Sequence, residues 1–411
     1  MPRIPPELCT RCKGYKRLCG LPRCPILDKF RAQARVVSSI SGEELQGYTP
    51  PSMLVGEQGY PRVNVYLLLP PGASMEESRL HEDPIGWSLS KTPLARIIEY
   101  RGGMVGAGLR VYARDPWILY EKEISLAVAS TRPVDTEARL KRMPLPRLRF
   151  DGLTKPLGPT APARDVRVSG SPKLHSRLEK RIWDDTLSSE AVVDLYRSGV
   201  DVYTIQRAFS AGLFGRLRNR RLVPTRWSIT AVDDIISRDL RREIRDYNIV
   251  NDTMVFHASY LGNRFTIIVM PGEGSFEWIE AWHPAGLWTA GARTVTRFRL
   301  YEDPLGRATA DDGGFSAARM AVLEWMSRSR VKGDVVILRE ILPSYYAPVG
   351  NWHIRETVRR AMEAGPIASS TGPGELESLI SGLHKLSPRE IAGDSLLLGL
   401  GRRLRRLTEF M

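Results

Sequence analysis

Along the chain, apolar and polar positions follow two different periods. Helical spacing marks Pro25 to Val37, Leu94 to Tyr100, Trp117 to Ala129 and Phe315 to Trp325. It recurs between Leu178 and Arg207, through Ala191, Val192, Leu195 and Tyr196, and again through Val202, Ile205, Ala208 and Phe209. Strand-like runs are MLVG and RVNVYLLL, the second almost continuously apolar and so predicted to be buried. Gly56-Glu-Gln-Gly59-Tyr-Pro61 joins them, either as a plain hairpin turn or as a place where backbone approaches a ligand. Beyond Asn251, TMVFHASYL, RFTIIVMP, FEWIEAWHP and RTVTRFRLYED predict an antiparallel sheet, with Trp278 and Trp282 flanking its core. DVVILREILPSYY reads as a further strand that delivers Arg339 and Glu340 at its carboxyl end.

Breaks in the pattern divide the chain. The glycine-rich run Gly102 to Gly108 reads as a loop, and without a following patterned helix it does not support a dinucleotide fingerprint. Prolines crowd the interval from Pro144 to Pro172, which marks a domain junction or a ligand-lining loop. GPIASSTGPG, after Ala364, reads as a flexible linker followed by one or two modest helices. The predicted fold class is α+β (mixed α/β). It comprises an N-terminal four-cysteine zinc element over 1–30, a sheet-and-helix body over 31–150 and 151–364 with an antiparallel sheet in its C-terminal half, and a linker with a flexible tail over 365–411.

Length and charge sharpen this picture. A chain of 411 residues exceeds one ordinary core, so two or three structural units are expected. The formal net charge is +14 and the sequence pI about 9.8, which favours an anionic partner, nucleic acid foremost. Arginine-rich surfaces also suit ion-pair networks at high temperature, so charge alone does not decide. No apolar run is long enough to cross a bilayer, and the N-terminus lacks the apolar core of a secretory signal. An intracellular, cytoplasmic protein with no membrane partner is expected.

All four cysteines lie together, Cys9-x2-Cys12-x6-Cys19-x4-Cys24, with glycines for turns and basic residues between them. Four soft thiolates in one short loop match tetrahedral Zn2+, whose binding would supply folding energy that so small a segment lacks. Two disulfides or an iron–sulfur cluster are the competing readings of the same spacing.

The densest chemistry lies between Leu217 and Ile236. Arg218, Arg220 and Arg221 precede Pro224, then Arg226 and Trp227 lead into a helix predicted to begin near Thr230. Guanidinium forks and a helix N-terminus are means of holding phosphate. Thr230-Ala-Val-Asp233 has capping-box form, so Asp233 is read as a helix cap, with a metal or catalytic role for Asp233 or Asp234 as the alternative. Asp151 lies in the proline-rich interval, in a setting suited to a site or to an ordinary loop. Tyr345, Tyr346, Trp352 and Arg355 can stack bases or line a core edge. At the end of the chain, Leu407, Phe410 and Met411 are spaced as one helical turn would present them, a short anchor for a hydrophobic pocket, flanked by arginines.

The four-cysteine element, GYPRVNV, VPTRWSITAVDD, REILPSYYAPVGNWHIRE and the short tail together resemble the archaeal Nre DNA-repair protein family, over nearly the whole chain. The resemblance implies a response to DNA damage and binding of PCNA, the sliding clamp, through a C-terminal PIP motif. Leu407 matches its aliphatic position, Phe410 and Met411 its aromatic positions, and Leu404 stands where glutamine is expected. DNA and other repair proteins are the further partners it implies. A reading from a different class is a metal-dependent nuclease or phosphoesterase, or a nucleotide-binding enzyme, centred on Arg226, Asp233 and Glu340. There Asp151 or Asp234 would assist as metal ligand or base, and a divalent metal or nucleotide would be the cofactor. The chain contains neither a P-loop nor an HExxH motif.

Overall fold

The computed structural model describes residues 11–12, 14–18, 20, 24–146, 158–286, 289, 292–370, 372–387, 390–391, 393 and 395–398. Described residues from 25 to 236 form one compact unit; those from 237 onward, with the described residues up to Cys24, form another.

The N-terminal unit is built on a six-stranded sheet. Its strands are β1 (Glu44–Thr49), β2 (Met53–Val55), β3 (Arg62–Leu69), β4 (Val105–Tyr112), β5 (Val134–Leu140) and β6 (Thr160–Val168), in the order β1-β5-β6-β4-β3-β2. All neighbours are antiparallel except β4 and β6. Alternation explains the inward set: Val63, Val65 and Leu67 on β3, and Val134, Thr136, Ala138 and Leu140 on β5, are buried. The expected MLVG–RVNVYLLL hairpin is present, with Met53 opposite Leu67.

Helices surround this sheet: α1 (Pro25–Ser38), α2 (Met75–Arg79), α3 (Pro84–Leu89), α4 (Leu94–Gly102), α5 (Trp117–Glu121), α6 (Ile124–Ala129), α7 (Ser176–Trp183), α8 (Ser188–Arg197) and α9 (Val202–Ser210). Helix α10 (Thr225–Ile244) follows. Helix α1 meets α4 where a Cβ on Gly102 would lie 2.6 Å from the Ala32 Cβ, so only glycine permits that approach. The single helix expected over Trp117–Ala129 is two, because Glu123 between them adopts φ +55. The glycine-rich loop expected at Gly102–Gly108 is largely strand β4. There Gly106 and Gly108 fit against Thr160 and Tyr66, at positions where a Cβ would come within 2.8 Å of those side chains.

The C-terminal unit holds a second six-stranded sheet, with a two-stranded pair of β7 (Asn248–Ile249) and β12 (Val331–Lys332) beside it. Its strands are β8 (Met254–Tyr260), β9 (Asn263–Met270), β10 (Phe276–Trp282), β11 (Thr296–Glu302), β13 (Asp334–Ile341) and β14 (Ala368–Ser369), in the order β11-β10-β13-β9-β8-β14. The expected antiparallel sheet is mixed, because β10 and β13 run parallel. Between them come β11, α11 (Gly313–Ser329) and β12, the crossover that a parallel pair requires. Part of the expected linker after Ala364 is β14, which pairs with β8.

Both faces of this sheet are covered, so β10 and nearly all of β13 are buried. On one face lie α11 and α12 (Trp352–Glu363); Trp278 meets Phe315, and Phe256 meets Trp325. On the other face Ile268, Ile279, Val336 and Leu338 pack against Ile380 of α13 (Pro373–Leu383) and against Leu386, Ile391 and Leu397. Full burial of one such aliphatic side chain contributes about 1.5–3 kcal/mol.

Candidate nucleic-acid interface

Helix α10 begins earlier than the sequence pattern predicts. The Pro224 carbonyl accepts from the main-chain N–H groups of Trp227 (2.8 Å) and Ser228 (3.0 Å), so Thr225 opens the helix. At the position before the helix, proline's carbonyl serves as the first acceptor and its missing N–H takes nothing from the ladder. Asp233 therefore lies inside the helix and does not cap it. It is fully buried and accepts from Gln206 Nε2 at 2.8 Å.

The same early start carries Arg226 and Trp227 to the β2–β3 connection. Thr225 Oγ1 accepts from the Val55 N–H at 2.9 Å. Trp227 Nε1 then donates to Glu57 Oε2 at 3.1 Å, and an Arg226 nitrogen lies 3.9 Å from Glu57 Oε1. The Tyr60 and Trp227 ring centroids are 6.0 Å apart, inclined at 41°. Both rings face solvent, Trp227 49% and Tyr60 40% exposed, and the Arg226 side chain is 81% exposed. Gly59, at φ +82, supplies the left-handed turn that presents Tyr60. An indole held by a carboxylate, beside a second ring and a guanidinium, forms a platform for planar anionic groups.

The arginine run before it divides. Arg218 and Arg221 are exposed. Arg220 is buried and donates to the carbonyls of Gly215, Ile182, Arg181 and Asp184, over the Trp117 ring. Its fork holds main chain, so it is unavailable to phosphate.

In the C-terminal unit Glu340 is fully buried and surrounded. Its carboxylate accepts from the Lys385 N–H (2.8 Å) and meets His283 Nε2 (2.7 Å), His384 Nδ1 (3.3 Å) and an Arg264 nitrogen (3.4 Å). From His384 the chain of bonds continues to Thr266 (2.7 Å), His257 (3.0 Å) and Ser259 (3.2 Å). Burial alone would raise the Glu340 pKa, but the two histidines and the Lys385 N–H outweigh it and hold the carboxyl well below its usual range. Burial, then His384 and Arg264, depress His257 to about 4. Glu277, on the same face and also fully buried, accepts from Ser395 Oγ (2.5 Å) and from the N–H groups of Leu396 (2.8 Å) and Leu397 (3.3 Å). Glu277 and Glu340 thus hold His384, Lys385 and Ser395 to Leu397 over the sheet.

The opposite face carries a second buried cluster. Parallel register sets Glu280 beside Arg339, whose guanidinium donates to Glu280 (2.6 Å) and Asn263 (2.9 Å) and reaches His353 (3.3 Å). Tyr345, Tyr346 and Trp352 are buried and Arg355 fully so; they form the core edge and are closed to bases. Among the described residues no group of three or more His, Cys, Asp or Glu could hold a metal. Asp234 is partly buried on α10, while Asp151 lies outside the described residues.

Cys12 is buried and Cys24 partly so; Cys9 and Cys19 lie outside the described residues, as do Leu404, Leu407, Phe410 and Met411. Burial would raise the Cys12 thiol pKa, yet the backbone N–H groups of Leu18, Gly14, Arg17 and Lys16 outweigh it and hold the value below the ordinary one. Main-chain N–H groups around a sulfur are the surroundings that favour its thiolate form, the form a metal ligand takes.

Sequence reasoning singled out Arg226 and Trp227 but missed Glu57 and Tyr60. Their only signal was the Gly56–Pro61 turn itself. It also missed three histidines that the fold brings towards Glu340: His257 through the register of β8, β9 and β13, His283 at the end of β10 beside β13, and His384 at the end of α13.

These features define a two-unit α+β protein whose N-terminal unit presents an aromatic and guanidinium surface to solvent. Profiles described as Archaeal Nre, N-terminal and Archaeal Nre, C-terminal match residues 18–289 and 302–410. The chain belongs to the archaeal Nre family. It is 34% identical over 373 residues to DNA repair protein NreA of Archaeoglobus fulgidus, covering 87% of this chain and 89% of that protein. DNA repair protein NreB of the same organism is 34% identical over 361 residues, covering 87% and 88%. DNA repair protein NreA of Haloferax volcanii is 32% identical over 362 residues, covering 85% and 85%. No solved structure gives a significant match. Among the described residues no helix is long and apolar enough to cross a membrane.

Proposed function

We propose that this chain is a DNA-repair factor that touches DNA through Tyr60, Trp227 and Arg226 and binds the PCNA sliding clamp through Leu404, Leu407, Phe410 and Met411. The relatives named above carry the repair role. The solvent-facing Tyr60–Trp227 pair, its indole held by Glu57, carries the DNA contact. Each base stacked on such a ring contributes about 1–3 kcal/mol, and every base has a π-face, so the surface suits single-stranded DNA of any sequence. Tethering to the clamp raises local DNA concentration, so neither contact needs to be tight alone. Zn2+ on Cys9, Cys12, Cys19 and Cys24 would supply folding energy to the N-terminal element.

Fluorescence anisotropy with labelled single-stranded DNA tests the first contact. Replacing Tyr60 and Trp227 by alanine should weaken binding by at least about tenfold with an unchanged melting temperature; native affinity in that variant removes the assignment. Removing residues 404–411 should abolish clamp pull-down, and clamp retained by the shortened chain overturns the tail assignment.

A further inference from the structure

A cleft of about 570 Å³ opens on the sheet of the N-terminal unit, and neither Tyr60 nor Trp227 lines it. Its floor includes Gly108 to Val111 of β4, the end of the glycine-rich run that reads as a loop in sequence and is strand in the structure. Register sets Gly108 opposite Tyr66 and Arg110 opposite Asn64, and Gly108 also pairs with Pro162 of β6. A Cβ on Gly108 would stand 2.8 Å from Tyr66 Cε1, so the absent side chain lets the tyrosine ring lie against the floor. The volume is within the range of about 300–1,000 Å³ typical of small-molecule sites.

The rim is cationic. Arg110, Lys141 and Arg142 line it and are exposed, and none of the three makes an ion pair among the described residues. Lys122 also lines it, shared with Asp165 at 2.7 Å. Arg110 reaches towards the β2–β3 connection, where a Cβ on Gly59 would lie 3.7 Å from its Nη2. An aromatic ring on a glycine floor, a neighbouring amide and three guanidinium or ammonium groups present stacking, hydrogen bonding and phosphate attraction together.

We infer that this cleft binds a nucleotide monophosphate unit: the base against Tyr66, the Asn64 amide at its edge, and the phosphate among Arg110, Lys141 and Arg142. A free nucleotide and the phosphorylated end of a DNA strand offer the same chemistry. Neither Tyr60 nor Trp227 lines the cleft, and binding there stands or falls without that pair.

Calorimetric titration of the full chain with dAMP, dTMP and inorganic phosphate tests it. Saturable binding of a nucleotide, tighter than that of phosphate, is expected. The exposed double change Lys141→Ala with Arg142→Ala should weaken it about tenfold or more, and Gly108→Ala should do so by displacing the Tyr66 ring. Trp227→Ala should leave it unchanged. If a 5′-phosphorylated single strand competes better than its unphosphorylated form, the natural source is a strand end; if neither competes, it is a free nucleotide. No binding of either nucleotide, native affinity in the double variant, or loss in Trp227→Ala overturns the inference.

Discussion

Replacing Glu340 by alanine separates a fastening role from a catalytic one. The side chain is fully buried and accepts from the Lys385 N–H, His283 and His384, with Arg264 beside it. Hydrogen bonds to a charged group contribute about 1.5–3 kcal/mol each, though not additively. Removing one partner of a buried charged cluster costs about 3–5 kcal/mol, because the remaining groups lose their counter-charge while still desolvated. For a unit of this size each kcal/mol moves the melting temperature by about 2–4 °C, so a fall of about 6–20 °C is expected by calorimetry. Limited proteolysis should then cut between His384 and Leu397. The acid limb checks the cause. The folded-state pKa lies below the unfolded value near 4.3, so the stabilisation is full above about pH 5 and drains as pH falls through the carboxylate range. Glu340→Gln should make that limb shallower. A Glu340→Ala protein melting within about 1 °C of the native chain, with an equally protected C-terminal segment, would refute the fastening role.

Three further outcomes are expected. Arg220→Ala should destabilise by about 3 kcal/mol or more, seen as a lower denaturation midpoint, since four carbonyls lose their donor. Burial depresses His257 to about 4 and His353 to about 3, below the unfolded value near 6.5. The unfolded chain therefore takes up protons first, and a pH series of melting curves should show stability falling below about pH 6.5, less steeply in His353→Gln. Metal analysis of purified protein should find zinc released by chelator and lost in Cys12→Ala, with the C-terminal sheet still folded; protein that never contains zinc rules the cysteine site out.

The sequence was most legible where one physical rule acted alone. Strands β8, β9 and β13 are continuous or alternating apolar runs between turn residues, and all were expected. Strands β1, β5 and β6 were missed because small or polar residues such as Gly47, Thr136 and Ala161 interrupt their inward apolar positions, and β6 contains Pro162. Helix α10 was misplaced because Thr230 to Asp233 fits a capping box, whereas Pro224, one position before the helix, sets its start. The site was legible by half. Arg226 and Trp227 drew notice through their chemistry, but Glu57 lies 170 residues from Trp227 and only the fold pairs them.

The net charge of +14 misleads if it is read as one uniform footprint. In the C-terminal unit Arg241 and Arg319 share buried Glu302, Arg339 holds Glu280, and Arg359 is bound by Glu324 and Glu356. Those charges are neutralised in place and little exposed, so they cannot meet phosphate. In the N-terminal unit Arg110, Lys141, Arg142 and Arg226 are exposed, and the 3.9 Å contact of Arg226 with Glu57 is too loose and solvated to withhold it. The salt dependence of DNA binding distinguishes the two sets, because each phosphate contact contributes about one unit of slope in log K against log salt, slightly less for single strands. Arg226→Ala and Arg142→Ala should each flatten that slope, while Arg359→Ala should lower stability and leave it alone. A slope insensitive to both N-terminal changes would mean that the exposed cations of this unit do not meet the DNA backbone.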